Sequence, residues 1–162
     1  MNAKTFAIAG LGLLAALTTA KPSVQDEKFV ASIGFGNTFE ARGGRTALKR
    51  SNNGALRDYG TMLVSMHGHA QEKLAKIAKK EGLAIPGGLT AADQKLIAKF
   101  ESLKGDRFNR TYKLATLAHH RHALLGINKE IRRGHDPQIL AYAKEMRTVV
   151  QGHIRALEAI RV

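Results

Sequence analysis

The sequence has no cysteine and no tryptophan, only three prolines, and only 6% aromatic residues in 162 positions. Without cysteine it cannot form disulfides, thiolate zinc sites, cysteine nucleophiles or the modified cysteine that anchors bacterial lipoproteins. The low aromatic content also disfavours carbohydrate binding. Apolar residues make up 44% of the chain and charged residues 24%, which is typical of one folded domain rather than a disordered chain.

The N-terminus has the layout of a secretory signal peptide. A short basic start precedes an apolar run over residues 5–17, rich in Ala, Gly and Leu, and two threonines then lead to Ala20. This run is shorter than the roughly 20 residues that a membrane span requires. We therefore predict a cleaved signal peptide at 1–20, a mature domain at 21–162, no integral membrane segment, and export to the periplasm or beyond.

Almost no alternating strand pattern is present, and apolar residues instead recur at three- and four-residue steps, as in amphipathic helices. Proline, glycine and capping residues interrupt this pattern at a few places. The sequence predicts an all-α fold, a four-helix bundle with a short extra helix in the crossover. The predicted helices cover residues 26–50, 55–81, a short helix from Thr90 to Leu103, Asp106–Arg132, and a last helix that begins at Asp136-Pro137.

Polar residues occupy positions where the helical pattern calls for apolar ones. Glu40, His67 and His153 lie on apolar stripes, and His120 lies among apolar neighbours such as Leu124. A carboxylate on an inner face costs several kcal/mol unless it is paired, protonated or bound to a metal. Glu40 and His67 are equally distant from the first hairpin turn, and His120 and His153 from the second. We therefore expect all four side chains at mid-height, one from each long helix.

Short motifs elsewhere in the chain match a known family. They are Phe29-Val30, Gly44 after Glu40, Leu63-Val64 before His67, Ala70 and Leu74, Pro86 after Gly82, Phe108-Asn109-Arg110-Thr111-Tyr112 before His120, and Ala156 after His153. With these motifs, residues 26–160 resemble the exported bacterial family catalogued as domain of unknown function 4142. The resemblance implies a ferritin-like four-helix bundle, but it implies no reaction because the family has no established one.

The chain departs from the family pattern at acidic and proline positions. Ser65 and Met66 stand where the family usually has acids before its first histidine, Asn109 replaces an aspartate, and Thr148 replaces a common proline. Any part that those acids take in orienting a histidine or neutralising a cation is lost here.

A ferritin-type di-iron centre needs Glu-x-x-His on two helices, and no Glu-x-x-His occurs in the sequence. We therefore disfavour a di-iron centre. A single ion of zinc, copper, iron or manganese suits three imidazoles and one carboxylate. The residues predicted to hold it are Glu40, His67, His120 and His153.

A second interpretation makes these residues a structural layer without a ligand. The histidines would then bond to one another, to Glu40, and to Tyr59 or Tyr112, and would set the register of the helices. The adjacent His119 and His120 point about 100° apart on a helix and cannot easily share one ion. The pattern also places His119 in the interior or at an interface.

Basic residues outnumber acidic ones by 26 to 13, which gives a formal charge of +13. Nucleic acid is not an expected partner, because no reading motif is present and aromatics are few. Anionic envelope lipid or another polyanion is the more plausible partner class. Nucleophile-elbow, phosphate-loop and His-Glu-x-x-His motifs are absent, so catalysis is less expected than binding. The alternative function is therefore a basic, non-catalytic, envelope-associated interaction protein with a structural polar core.

Overall fold

Five α-helices and no strand make up residues 21–162, the part of the chain that this computed structural model describes. The predicted signal peptide lies outside these residues. The observed bounds agree with the predicted ones to within about two residues. The helices are α1 Val24–Arg50, α2 Gly54–Glu81, α3 Ala91–Ser102, α4 Gly105–Arg133 and α5 Pro137–Ala159.

Local capping chemistry explains where the helices begin. Ser23 and Asp26 form a capping box at the start of α1, which satisfies backbone N–H groups that have no partner within the helix. Thr90 accepts a hydrogen bond from the backbone N–H of Asp93 at the start of α3. Asp136 accepts hydrogen bonds from two backbone N–H groups at the start of α5, where proline follows as the first helical residue.

The helices are arranged as two antiparallel hairpins, α1–α2 and α4–α5, joined by one long crossover that contains α3. The start of α1 meets the end of α4, where Gln25 Nε2 donates to Glu130 Oε2 over 3.0 Å. The end of α1 meets the start of α4, where Ser51 Oγ donates to Asn109 Oδ1 over 2.7 Å. The long helices therefore run up, down, down and up, the connectivity of ferritin-like bundles with one crossover.

Two glycines allow the backbones of α1 and α2 to touch. A Cβ atom added to Gly44 would lie 2.5 Å from the carbonyl oxygen of Gly60, and one added to Gly60 would lie 2.8 Å from that of Gly44. Both distances are too short for any side chain. This close approach lets α1 and α2 pack tightly within the first hairpin.

Two hydrophobic clusters lie at different heights of the bundle, and the polar mid-height residues lie between them. The first cluster includes Phe29, Val30, Ile33, Leu74, Ile127, Ile139, Tyr142 and Met146. The second includes Phe39, Ala47, Leu56, Leu63, Phe100, Phe108, Tyr112 and Leu157. Within residues 21–162, none of the helices has the length and apolar character that crossing a membrane requires.

Candidate metal centre

Three histidines from three helices meet in the middle of the bundle. His67 on α2, His120 on α4 and His153 on α5 are 4%, 1% and 2% exposed. The ring centroids of His67 and His153 are 5.2 Å apart, those of His120 and His153 5.3 Å, and those of His67 and His120 6.0 Å. Each ring offers one nitrogen atom such that the three nitrogens all lie within 4.8 Å of one another. We call these residues the three-histidine cluster.

Glu40 of α1 lies beside this cluster, at the height expected from the sequence. Its Oε1 atom accepts hydrogen bonds from Nδ1 of His119 and Nδ1 of His120, each over 2.8 Å. The carboxylate therefore contacts one ring of the cluster through that ring's N–H group. The geometry makes Glu40 an orienting group for His120, in the manner of carboxylates that support metal-bound histidines.

Asn37 determines which nitrogen of His67 carries the proton. Its Nδ2 donates to Gln71 Oε1 and to the hydroxyl of Tyr142, both over 3.2 Å. Its Oδ1 lies 3.0 Å from His67 Nδ1, and because an amide oxygen only accepts, Nδ1 must donate. The lone pair of His67 is therefore on Nε2, which is buried and has no hydrogen-bond partner among the described residues.

His120 has the same tautomer for a similar reason. Because Glu40 accepts from Nδ1, the lone pair is on Nε2, which lies 3.2 Å from the hydroxyl of Tyr59. That hydroxyl also lies 3.3 Å from the carbonyl oxygen of His153. Tyr59 has one hydrogen to donate and two acceptors for it. It can donate to the carbonyl and leave the His120 lone pair free.

His153 completes the pattern with a weak partner. Its Nε2 lies 3.3 Å from the thioether sulfur of Met66, and because sulfur is a weak acceptor, Nε2 carries the proton. Its Nδ1 is buried and has no hydrogen-bond partner within residues 21–162. Each ring of the cluster thus uses one N–H group as a donor and keeps one lone pair.

Burial keeps His67 and His153 of the cluster uncharged at neutral pH. It lowers the pKa of His67 to about 4. Burial, together with repulsion from His67 and His120, lowers the pKa of His153 to about 3. Burial alone would raise the pKa of Glu40, but attraction to His120 and hydrogen bonds from both neighbouring histidines outweigh it and hold this pKa far below its usual range. Neutral imidazoles are the form that binds metal ions.

The structure also shows residues that the sequence interpretation did not select. Asn37 follows the stripe position Ile33 by four residues, so helical spacing could have indicated it. His119 and His120 share one oxygen of Glu40 although they are adjacent in the chain. Within the described residues no hydrogen bond joins two rings of the cluster, whereas the bonds from His120 to Glu40 and to Tyr59 that a structural layer predicts are present.

The two main departures from the family pattern have different consequences. Met66 places a thioether against His153, where a carboxylate would be a much stronger acceptor. Asn109 lies at the end of the bundle, where it accepts from Ser51 and donates to Asn52 Oδ1 over 2.6 Å. The loss of an acid at Asn109 therefore affects helix-end contacts, and the loss at Met66 affects the cluster.

Fold and site together define an all-α bundle with a buried cluster of three histidines. The family model of domain of unknown function 4142 (DUF4142) matches residues 12–160, and the chain belongs to this family. No curated protein sequence matches the chain significantly.

Two solved structures share the fold. A DUF305 fragment from Deinococcus radiodurans superposes with a TM-score of 0.76 at 14% identity, covering 86% of this chain and 96% of its own. A DUF305 protein from Streptomyces coelicolor, whose name marks it as a candidate secreted protein, superposes with a TM-score of 0.71 at 12% identity, covering 82% and 88%. At these identities the likeness concerns the fold alone.

Proposed function

We propose that this protein binds one transition-metal ion, copper or zinc, through His67, His120 and His153. The observation that carries the proposal is the set of lone pairs left over by the hydrogen bonds. Nε2 of His67 and Nδ1 of His153 are buried without partners among the described residues. An unsatisfied buried polar atom costs about 1–3 kcal/mol, and a metal ion would remove that cost at both atoms.

Two neighbouring residues support the cluster as a ligand set. Asn37 holds His67, and Glu40 holds His120, each through the ring nitrogen opposite the lone pair. Such contacts hold the ring in one orientation and increase the basicity of the ligating nitrogen. The sequence predicted Glu40 as a fourth ligand. We now propose that it orients His120 and contributes one negative charge beside the ion.

The donor set favours copper or zinc over the other ions considered. Imidazole suits both metals, whereas manganese prefers carboxylate and water oxygens. Within residues 21–162, Glu40 is the one carboxylate that contacts the three-histidine cluster. A ferritin-type di-iron centre needs four carboxylates. The Met66 sulfur is not part of this donor set, because it contacts Nε2 of His153, whereas the lone pair of that ring is on Nδ1.

Metal analysis of protein purified without a histidine tag tests the proposal directly. We expect one equivalent of copper(I) or zinc per chain, and a melting temperature that rises with metal concentration. A free metal concentration one hundred times Kd would stabilise the fold by about 2.7 kcal/mol. The two metals are titrated separately, so that the stronger response identifies the preferred ion.

Two histidines on α2 provide a matched pair of variants. His67 belongs to the cluster, whereas His69 lies two residues away on the exposed surface. H67L should abolish stoichiometric binding, and H69L should retain it. Absence of metal in wild-type protein after titration, with no change in melting temperature, would contradict the proposal and favour a structural polar layer.

We also infer export, and a contact between the basic surface and anionic envelope lipid. Support for export comes from the signal-like pattern at 1–20 and from the name of the Streptomyces neighbour. A shallow surface at the C-terminal half of α1 is lined by four basic residues, with Glu101 as the acidic one. The basic residues are Arg42, Arg45, Lys49 and Arg50.

Intact-mass measurement of exported protein tests the first inference, since we expect the mature chain to begin at Lys21. Co-sedimentation with phosphatidylglycerol vesicles tests the second. Binding should fall steeply with salt, and phosphatidylcholine vesicles should not bind. A retained segment 1–20 would contradict cleavage, and equal binding to both vesicles would contradict the lipid contact.

A further inference from the structure

A cleft of about 270 Å³ opens between α1 and α4, beneath the start of α3. It lies outside the three-histidine cluster, but His119 lines its wall, and His119 also contacts Glu40. The other walls are largely apolar, and Gly36 leaves one of them open. The apolar wall residues are Phe29, Ile33, Phe35, Ala123 and Ile127.

One end of the cleft presents a polar pair with a gap between its atoms. His119 Nε2 and Asp93 Oδ1 are 3.7 Å apart, too far for a good hydrogen bond. Each of the two side chains is fixed by a hydrogen bond at its other polar atom. Asp93 accepts from the Thr90 hydroxyl over 2.7 Å through its other oxygen, and His119 uses its other nitrogen on Glu40 over 2.8 Å. The pair therefore presents one free atom each to whatever occupies the cleft.

A hydroxyl group matches this pair in either state of the ring. If His119 Nε2 carries a proton, a hydroxyl oxygen accepts from it while the hydroxyl hydrogen goes to Asp93. If Nε2 carries a lone pair, the hydroxyl donates its hydrogen to either Nε2 or Asp93 Oδ1 and lies near the other of these two atoms. A carboxylate would be repelled by Asp93, and an ammonium group would lie against His119. A neutral hydroxyl has neither conflict.

The volume and the walls indicate what is attached to that hydroxyl. An apolar cavity of about 150 Å³ holds a benzene molecule, so a cleft of about 270 Å³ has room for a substituted ring. Phe29 and Phe35 provide aromatic faces for offset or edge-to-face contacts with such a ring. Small-molecule sites commonly combine apolar walls with a few polar groups in this way.

We propose that the cleft between α1 and α4 binds a small phenol, with its ring among the apolar walls and its hydroxyl bridging His119 and Asp93. Hydrogen bonds then connect the ligand through His119 and Glu40 to His120. The bound phenol would thus be linked to the proposed metal ligand His120 through a short chain of hydrogen bonds. The inference does not depend on the metal, because binding can be measured on metal-free protein.

Titration of metal-free protein with p-cresol, followed by calorimetry and NMR, tests the proposal. We expect saturable binding with one molecule per chain and shifts in the signals of His119 and Phe35. Toluene, which has the same ring and no hydroxyl, should bind at least about ten-fold more weakly, because a partly buried polar pair would remain unbridged. D93A should weaken p-cresol binding by a similar factor and leave toluene binding unchanged.

Two glycine substitutions separate filling of the cleft from general effects on the helices. A Cβ atom at Gly36 would lie 3.9 Å from His119 Cε1, an ordinary contact, so G36L should fold and fill the cleft. At Gly68 on α2 nothing lies within 4 Å of an added Cβ, and this residue does not line the cleft. G36L should abolish p-cresol binding, and G68L should preserve it.

Three results would overturn the proposal. The first is absence of saturable p-cresol binding to wild-type protein, which would indicate that the cleft holds only water. The second is undiminished binding to G36L, which would place the ligand elsewhere. The third is equal affinity for toluene and p-cresol, which would remove the hydroxyl from the recognition.

Discussion

Two groups of buried ionisable side chains lie at different heights of this bundle, and they differ in how their hydrogen bonds are completed. One is the three-histidine cluster at mid-height. The other lies where α1 begins and α4 turns into α5, and consists of Asp26, Glu130 and Asp136, which are 0%, 0% and 1% exposed. We call this second group the carboxylate end.

At the carboxylate end, backbone N–H groups satisfy Asp26 and Asp136, whereas Glu130 keeps one buried oxygen, Oε1, without a hydrogen-bond partner among the described residues. Asp26 accepts from the backbone N–H groups of Ser23 over 2.6 Å, His135 over 3.0 Å and Asp136 over 3.3 Å. Burial would raise its pKa, but these bonds and a bond with Glu130 outweigh it and lower the pKa to about 2. The group thus joins α1 to the link between α4 and α5.

In the three-histidine cluster, the side-chain contacts use one nitrogen of each ring; among the described residues the other nitrogen has no partner in His67 and His153, and in His120 it faces the Tyr59 hydroxyl. Backbone N–H groups can saturate a carboxylate, but an imidazole lone pair needs a donor or a cation. From this difference we infer that the carboxylate end stabilises the fold and that the three-histidine cluster binds a ligand. Four predictions test this division.

The largest effect should follow from removing the central acceptor of the carboxylate end. D26A leaves the backbone N–H groups of His135 and Asp136 without their acceptor and removes half of the capping box at Ser23. Because several buried bonds are lost together, we expect a loss of about 3–5 kcal/mol in the free energy of unfolding. Urea denaturation measures this loss.

The exposed acid Asp58 on α2 supplies the control. D58A should change stability by no more than about 0.5 kcal/mol. If D26A were equally mild, the carboxylate end would not be the structural element that its hydrogen bonds indicate.

The second prediction concerns pH. Burial and the hydrogen bond with Asp26 raise the pKa of Glu130 from 4.5 to about 7. Between these two values the folded chain keeps a proton that the unfolded chain has released. Glu130 therefore stabilises the fold below about pH 4.5, and this contribution is lost as the pH rises through 7.

E130Q isolates this contribution, because glutamine can donate to Asp26 at every pH. We expect E130Q to match wild type near pH 5 and to exceed it by about 2 kcal/mol near pH 8. His67 and His153, whose pKa values are lowered by burial, contribute the opposite slope in both proteins, so the difference in stability between E130Q and wild type is the quantity to measure. A difference that does not vary with pH would show that Glu130 is ionised in the folded chain at both values.

The third prediction tests the support of His67. H67L removes the donor to Asn37 Oδ1 and leaves a buried oxygen unpaired, so metal-free protein should lose about 1.5 kcal/mol. The exposed H69L provides the reference for a leucine on the same helix. Stability equal to that of H69L would show that Asn37 finds another donor and does not hold the ring.

Much of this arrangement can be predicted from the sequence, because it depends on local rules. Helix bounds follow from periodicity and from capping residues such as Thr90 and Asp136. The meeting of His67 and His153 at one height follows from counting residues to each turn, since helix rise is constant.

The rest depends on side-chain rotamers and on how elements dock, which residue spacing does not encode. The orientation of Glu40 toward Nδ1 of His119 and of His120, rather than toward the lone pairs of the cluster, is decided by χ angles on two helices. The cleft exists because α3 lies across α1 and α4, and the position of a short crossover helix is a tertiary property. The apolar stripe of α2 passes through Met66 and His67, but spacing alone does not show that the Met66 sulfur contacts His153.

The smallest effect on stability should come from His153, although its effect on metal binding should be complete. Its side chain has one hydrogen-bond partner among the described residues, the thioether of Met66, which is itself 38% exposed. Leucine at this position joins the apolar stripe of Val150 and Leu157 and leaves no strong acceptor unpaired. Metal-free H153L should therefore keep its helical circular dichroism and differ from wild type by less than about 1 kcal/mol. Under the same metal titration its melting temperature should not change, because two imidazoles are too few for a closed site. A loss of helical signal at room temperature would mean that His153 holds the bundle together, and the distinction between a structural carboxylate end and a ligand-binding cluster would fail.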